Sequence, residues 1–450
     1  SGYTLADQGN SNKIQIHAQD AGNSKKLSSE VLTIGDITSS VFGTSNVVNR
    51  DESYTYVTDI KYESGNNFSS DLPKTGRDEY QKNISAKWIL GSGEKISYSF
   101  LEPGAAYVGT YNELKGIISP TTAFKTAARD SFNILSSFAD ITFEEVSESG
   151  SVVGDFRIGI TDADHFGMAS SFAAYSQGVG NTPQAGNIFF NGGKDTNGNS
   201  VSDYNEASTY AGKSAGMTTM LHEILHSLGH KHPFEAIDAD DSSEGSANIY
   251  QNKYEHYPYS IMSYTPLRDK ASYNIKYEGI NLKSGGQYYP HTPMLYDVMA
   301  LQEIYGAAKS TASGNNTYTY TASAPPFEAI YDTGGTDTLD LSNITGGCEL
   351  DLSGTIVSTI GNDYLIPYKN VSGSTTYGDA QGSYLGIVPG TDIEKVLLPG
   401  GASTVTSSSK TTFIVGKNNG AITANIKSAE IGIKASGTAN DTINLKQTTE

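Results

Sequence analysis

The segment His222-Glu223-Ile224-Leu225-His226-Ser227-Leu228-Gly229-His230-Lys231-His232 constrains this chain more than any other stretch. Two histidines four apart on a helix project from one face, so both can reach a single ion. Glu223 lies one step round the helix, where it can take a proton from water activated by a metal. Gly229 is the residue type that ends a helix in a left-handed conformation, letting the chain swing His232 back as a third ligand. Nitrogen donors with a position left open for water suit zinc. Such a pattern arises by chance on the order of once in ten thousand chains of this length. Leu221, Ile224, Leu225 and Leu228 share one narrow arc that can face a core, with His222 and His226 beside it. His230 is expected at the surface rather than among the ligands.

Downstream, Ser260-Ile261-Met262-Ser263-Tyr264 adds a second landmark. Met262 can form an adaptable apolar floor beneath the histidines. Tyr264 can bring a phenol to the metal or to a developing oxyanion. The long histidine motif followed by this segment resembles the metzincins, and the tyrosine resembles their serralysin and astacin branches. The stretch from Pro293 to Ala307 is helical by period and stopped at Gly306. It resembles the helix that closes the serralysin catalytic domain, and a packing role is expected for it. The resemblance implies a zinc endopeptidase with His222, His226 and His232 on the metal and Glu223 as general base. It further implies Tyr264 as a fourth ligand at rest, released to hydrogen-bond the tetrahedral intermediate. In metzincins the last strand before the zinc helix is the sheet edge lining the cleft. Ile188, Phe189, Phe190 and Asn191 would then hold an extended substrate through main-chain hydrogen bonds.

The chain has 450 residues, more than one compact core accommodates, so two or three domains are expected. The assignment is an N-terminal extension or prosegment at 1–85, a metzincin domain at 86–310 and a β-rich domain at 311–450. The fold class is α+β: a twisted mixed sheet with helices, then a region resembling a degenerate β-roll or sandwich. Pro120 opens a helix whose Phe124, Ala128, Leu135 and Phe138 share a face. Lys95 to Phe100 alternates like a half-buried strand, and segments around 140–146, 155–160 and 186–191 read as further strands.

Thirty basic against 49 acidic residues give a net charge of −19, which argues against nucleic acid as a partner. Protein or peptide substrates and a monomer are expected instead. Cys348 is the single cysteine, so no intrachain disulfide forms and the N-terminal region has no thiol to cap a metal. No run approaches the roughly 20 apolar residues needed to span a bilayer. Ser1-Gly2-Tyr3 lacks a signal pattern, so a leader has been removed or was never present. A secreted, bacterial protein is expected, although Leu445 to Glu450 lacks the apolar tail of the serralysin secretion signal.

The C-terminal third loses its helix signals and gains Gly, Ser, Thr and Asn. Asp332 to Ser342 resembles the entry to the serralysin β-roll, and Gly390 to Gly401 the strand before its repeats. No complete G-G-x-G-x-D repeat occurs, and Ala402-Ser403-Thr404-Val405 stands where aspartates would follow Gly400-Gly401. Asp337, Asp340 and Asp392 are the candidate calcium ligands. Asp195 to Asn199 has the flavour of a calcium loop but fits a plain turn. Two further readings stand beside the protease: a surface-attachment protein with secondary proteolysis, and a zymogen with residues 1–85 across the cleft.

Overall fold

The computed structural model describes residues 79–105, 116–149, 152–161, 174–176, 178–180, 184–194, 200–212, 214–233, 254, 256–264, 280–282, 287–369, 375–408, 410–416 and 420–426, with strand segments at 3–6, 13–18, 31–33, 46–47, 55–56, 61–63, 432–434 and 442–445. The first lobe is a sheet covered by helices. Its strands are β1 (Ile96–Phe100), β2 (Phe143–Glu145), β3 (Phe156–Thr161), β4 (Ala174–Ser176), β5 (Ile188–Lys194) and β6 (Ser200–Asp203). They lie in the order β4-β5-β3-β1-β2, with β6 paired to β5. β2, β1, β3 and β5 run parallel, and β4 is antiparallel to β5.

Parallel strands covered on both faces bury every side chain, and β1 does so where sequence alternation predicts half-burial. Its hydroxyls are therefore satisfied inside the lobe. Ser97 Oγ donates to Asp155 at 2.5 Å and Ser99 Oγ donates to Glu148 at 2.8 Å. Helix α1 (Thr122–Phe138) begins where the Thr121 hydroxyl accepts the Phe124 N–H, and it buries the predicted face of Phe124, Ala128, Leu135 and Phe138. The expected sheet edge is different. Ile188 to Asn191 is paired on both sides, to β3 and β4, and fully covered. The outer strand is β4, whose short Ala-Tyr-Ser sequence carries too few apolar residues to stand out.

Two more helices follow: α2 (Ala215–Ser227) and α3 (Leu295–Tyr305). From Thr317 the chain becomes almost all strand, and from Thr338 it passes back and forth between two ladders. One ladder stacks Thr317–Thr321, Thr338–Asn343, Lys395–Leu397, Phe413–Val415 and Gly432–Lys434, all parallel. The other stacks Cys348–Asp351, Ser403–Thr406, Ile422–Ile426 and Thr442–Leu445, also parallel. Leu339, Leu350, Val396, Val405 and Ile414 fill the space between them. Successive turns lie directly on one another: a Cβ on Gly401 would fall 2.3 Å from the Gly346 carbonyl carbon. This architecture is α+β, as expected.

Candidate metal centre

His222 and His226 leave the same side of α2 with ring centroids 4.7 Å apart. The helix ends at Leu228, and Gly229 then adopts φ +99°. That reversal returns His232 to the other two. The three Nε2 atoms lie 3.2 Å (His222–His232), 3.1 Å (His222–His226) and 3.0 Å (His226–His232) apart. Nitrogens bound to one tetrahedral zinc at 2.0–2.1 Å lie about 3.3 Å from each other, so the donor set fits that ion. Among the described residues this is the group that brings three such donors together.

The far ring nitrogens fix the chemistry of the near ones. His222 Nδ1 lies 2.8 Å from the Ile261 carbonyl, and His226 Nδ1 lies 2.8 Å from the His230 carbonyl. A carbonyl only accepts, so each Nδ1 carries the proton and each Nε2 offers a lone pair to the common point. Burial, reinforced by His226 and His232, holds His222 well below its usual imidazole pKa, which keeps the ring neutral.

Glu223 is buried beside the triad, and burial pushes its carboxyl up to about 8. Among the described residues none donates a hydrogen bond to its carboxylate. A cation at the triad would pull it back towards the ionised form. Tyr264 stands over the histidines, its ring 4.5 Å from His232 and 5.8 Å from His222 between centroids, and is 46% exposed. Met262 is fully buried in the cluster that holds Leu221, Ile224 and Leu225.

The turn bearing His232 is clamped from upstream. Ser85 donates to the Gly229 carbonyl through both N–H and Oγ at 2.8 Å. The Trp88 indole donates to the Ser227 carbonyl at 2.7 Å, and the Tyr305 hydroxyl to that of Leu228 at 2.9 Å. Residues 83–85, read from sequence as part of the extension, thus pack against the metal turn. His230 does not lie at the surface as expected. It is buried, pairs with Ile84 in a β-bridge, and lies 3.1 Å by Nε2 from the Asp297 carbonyl. Burial pushes its pKa down to about 4, and it stays outside the histidine triad.

Asp297 is the residue sequence reasoning missed. Fully buried in the first turn of α3, it accepts from Ser260 Oγ (2.6 Å), Ile261 N–H (2.7 Å) and Met294 N–H (2.9 Å). Burial raises its carboxyl to about 7 against the pull of these donors. The segment before Met262 is thereby pinned to α3, and Ile261 in turn orients His222. An acidic residue in the first turn of a predicted helix was the only signal. Asp297→Ala leaves three buried donors without an acceptor, at roughly 1–3 kcal/mol each. The urea midpoint of the metal-free protein should fall by the equivalent of about 3 kcal/mol or more; an unchanged midpoint contradicts this role.

The remaining candidates lie outside the histidine triad. Asp337 accepts the Asn316 N–H, Asp340 accepts the Ser342 N–H, and Asp392 pairs with Lys410 at 3.5 Å. They form no three-ligand cluster among the described residues. Asp195 to Asn199 falls outside the described residues. Ile188 to Asn191 sits in the sheet interior, whereas β4 reaches α2: Ser176 Oγ and Ser227 Oγ are 2.7 Å apart.

No family model matches the sequence. Curated relatives do. Metalloprotease AprA of Pseudomonas entomophila is 24% identical over 316 residues, covering 64% of this chain and 59% of that protein. Serralysin B of Dickeya chrysanthemi is 27% identical over 287 residues, covering 61% and 54%. Serralysin of Proteus mirabilis is 26% identical over 360 residues, covering 72% and 67%. The chain is a divergent, serralysin-like sequence. The match spans 54–67% of the length of these relatives. One of these relatives is named a metalloprotease, and the histidine triad of this chain is a group that could hold a metal ion. No helix among the described residues is long and apolar enough to cross a membrane.

Proposed function

We propose that this chain is a secreted zinc endopeptidase of the metzincin type that hydrolyses protein substrates. The observation that carries the reading is the convergence of three Nε2 atoms within 3.0–3.2 Å, with Glu223 next in sequence to one of them. His222, His226 and His232 would hold the ion. Zinc held there supplies Lewis-acid polarisation and makes water a usable nucleophile near neutral pH. Glu223 takes the proton as water attacks the scissile carbonyl and passes it to the departing amine. Tyr264, which can also ligate the metal at rest, donates its phenol hydrogen to the oxyanion. β4 is the strand to which an extended substrate would add through its backbone; its tie to α2 through Ser176 supports this. The parallel ladders of the C-terminal lobe support reading it as a β-roll whose turns stack without the repeat's full set of aspartates.

Casein fragments from the full chain should have internal cut sites by mass spectrometry, and a zinc chelator should stop their formation. Release of terminal residues alone, or undiminished cleavage in chelator, contradicts the reading. Tyr264→Phe should retain zinc and lower kcat by about 10²-fold, the scale of one lost oxyanion donor. Loss of all bound metal would instead make Tyr264 indispensable as a ligand.

A further inference from the structure

We propose that Asn83 is a positioning residue for the metal site, joining the ligand turn to the segment that carries Met262. The inference rests on the zinc reading and deepens it. Asn83 is fully buried and grips both segments at once. Its main-chain carbonyl accepts the N–H of Lys231, the residue between His230 and His232, at 2.7 Å. Its Nδ2 donates to Ser260 Oγ at 3.2 Å, and Ser260 Oγ donates onward to Asp297 at 2.6 Å. Asp297 holds the Ile261 N–H, and the Ile261 carbonyl accepts from His222. Asp297 also meets His230 through its own carbonyl, and the His230 carbonyl accepts from His226. One residue upstream of the first lobe therefore closes a circuit, by its main chain on the Lys231 side and by its side chain on the Ser260 side, that reaches two of the histidines through their outer nitrogens.

The second amide atom argues that packing alone does not explain this residue. Asn83 Oδ1 is buried with no hydrogen-bond partner. An unsatisfied buried oxygen costs stability, and leucine, with the same number of side-chain heavy atoms, carries no such polar cost. The amide earns its place through Nδ2, which fixes the Ser260 hydroxyl so that its hydrogen points at Asp297. Outer partners of this kind set the orientation and tautomer of ligating histidines, and their loss typically weakens metal binding or activity 10–100-fold.

Asn83→Leu in the full chain tests the assignment, with zinc affinity measured by competition against a chromophoric chelator. The expected result is zinc binding weakened about tenfold or more, kcat lowered with KM unchanged, and a thermal midpoint of the metal-free protein that holds or rises. Cobalt in place of zinc should show altered visible bands. Ser260→Ala breaks the same link from the other side and should weaken zinc similarly, with no further loss when both changes are combined. Zinc affinity within twofold of the parent in either single variant overturns the proposal. So does a lowered metal-free midpoint with unchanged affinity, because that marks a purely structural residue. If the parent itself binds no zinc, the metal reading fails; if the parent binds and Asn83→Leu binds equally, only the role of Asn83 fails.

Discussion

Glu223→Gln should keep its zinc and lose about 10²–10⁴-fold in kcat, the usual worth of a general base. The substitution is close to isosteric, and no recorded hydrogen bond to the carboxylate is disturbed. Burial raises the Glu223 carboxyl to about 8, so the charged form is already disfavoured there without a metal. A neutral amide removes that penalty, and the thermal midpoint should hold or rise. Fold and function are thereby separated: an intact, zinc-loaded protein that barely turns over. Casein digestion at the parental rate would remove Glu223 from the chemistry. Loss of zinc would mean that the carboxylate shapes the site instead of working in it.

Gly229→Ala should be severely damaging to both fold and site. The backbone there has φ +99°, where L side chains are strained, and the added Cβ would lie 1.8 Å from the Ala86 carbonyl oxygen. Two relaxations are open. The turn can straighten, withdrawing His232, or the segment from Ser85 to Trp88 can lift away, pulling a buried tryptophan from the core. Strain and overpacking together amount to about 3–5 kcal/mol. Both a lower urea midpoint and weaker zinc retention are expected. A variant with parental midpoint and full zinc would show that the turn has slack the structure does not display.

What the sequence discloses and what it hides divides along contact range. The histidine spacing is local, and helix geometry alone turns it into a shared direction. The glycine is likewise readable as a helix stop, but its second constraint, the Ala86 carbonyl, comes from a distant segment. His230 went unrecognised as buried for the same reason: its cover is Ile84, paired across a turn far away in sequence. Asp297 and Asn83 are single polar residues in otherwise apolar or polar surroundings, and no period marks them. The order of strands in the sheet is also non-local, so Ile188 to Asn191 looked like an edge until β4 was seen beside it. In the C-terminal lobe, three- and four-residue strands are too short to show alternation, whereas the Gly-Gly pair at 400–401 was visible as punctuation. The candidate calcium aspartates each serve a turn or an ion pair, contacts that no sequence spacing announces.

The most direct measurement is a zinc titration of chelator-stripped full chain, with casein cleavage followed at each addition. No cleavage without metal, a linear rise on adding zinc, and a break at one equivalent per chain is the predicted result. Undiminished cleavage by the stripped protein, or none at any level of added zinc, would contradict it.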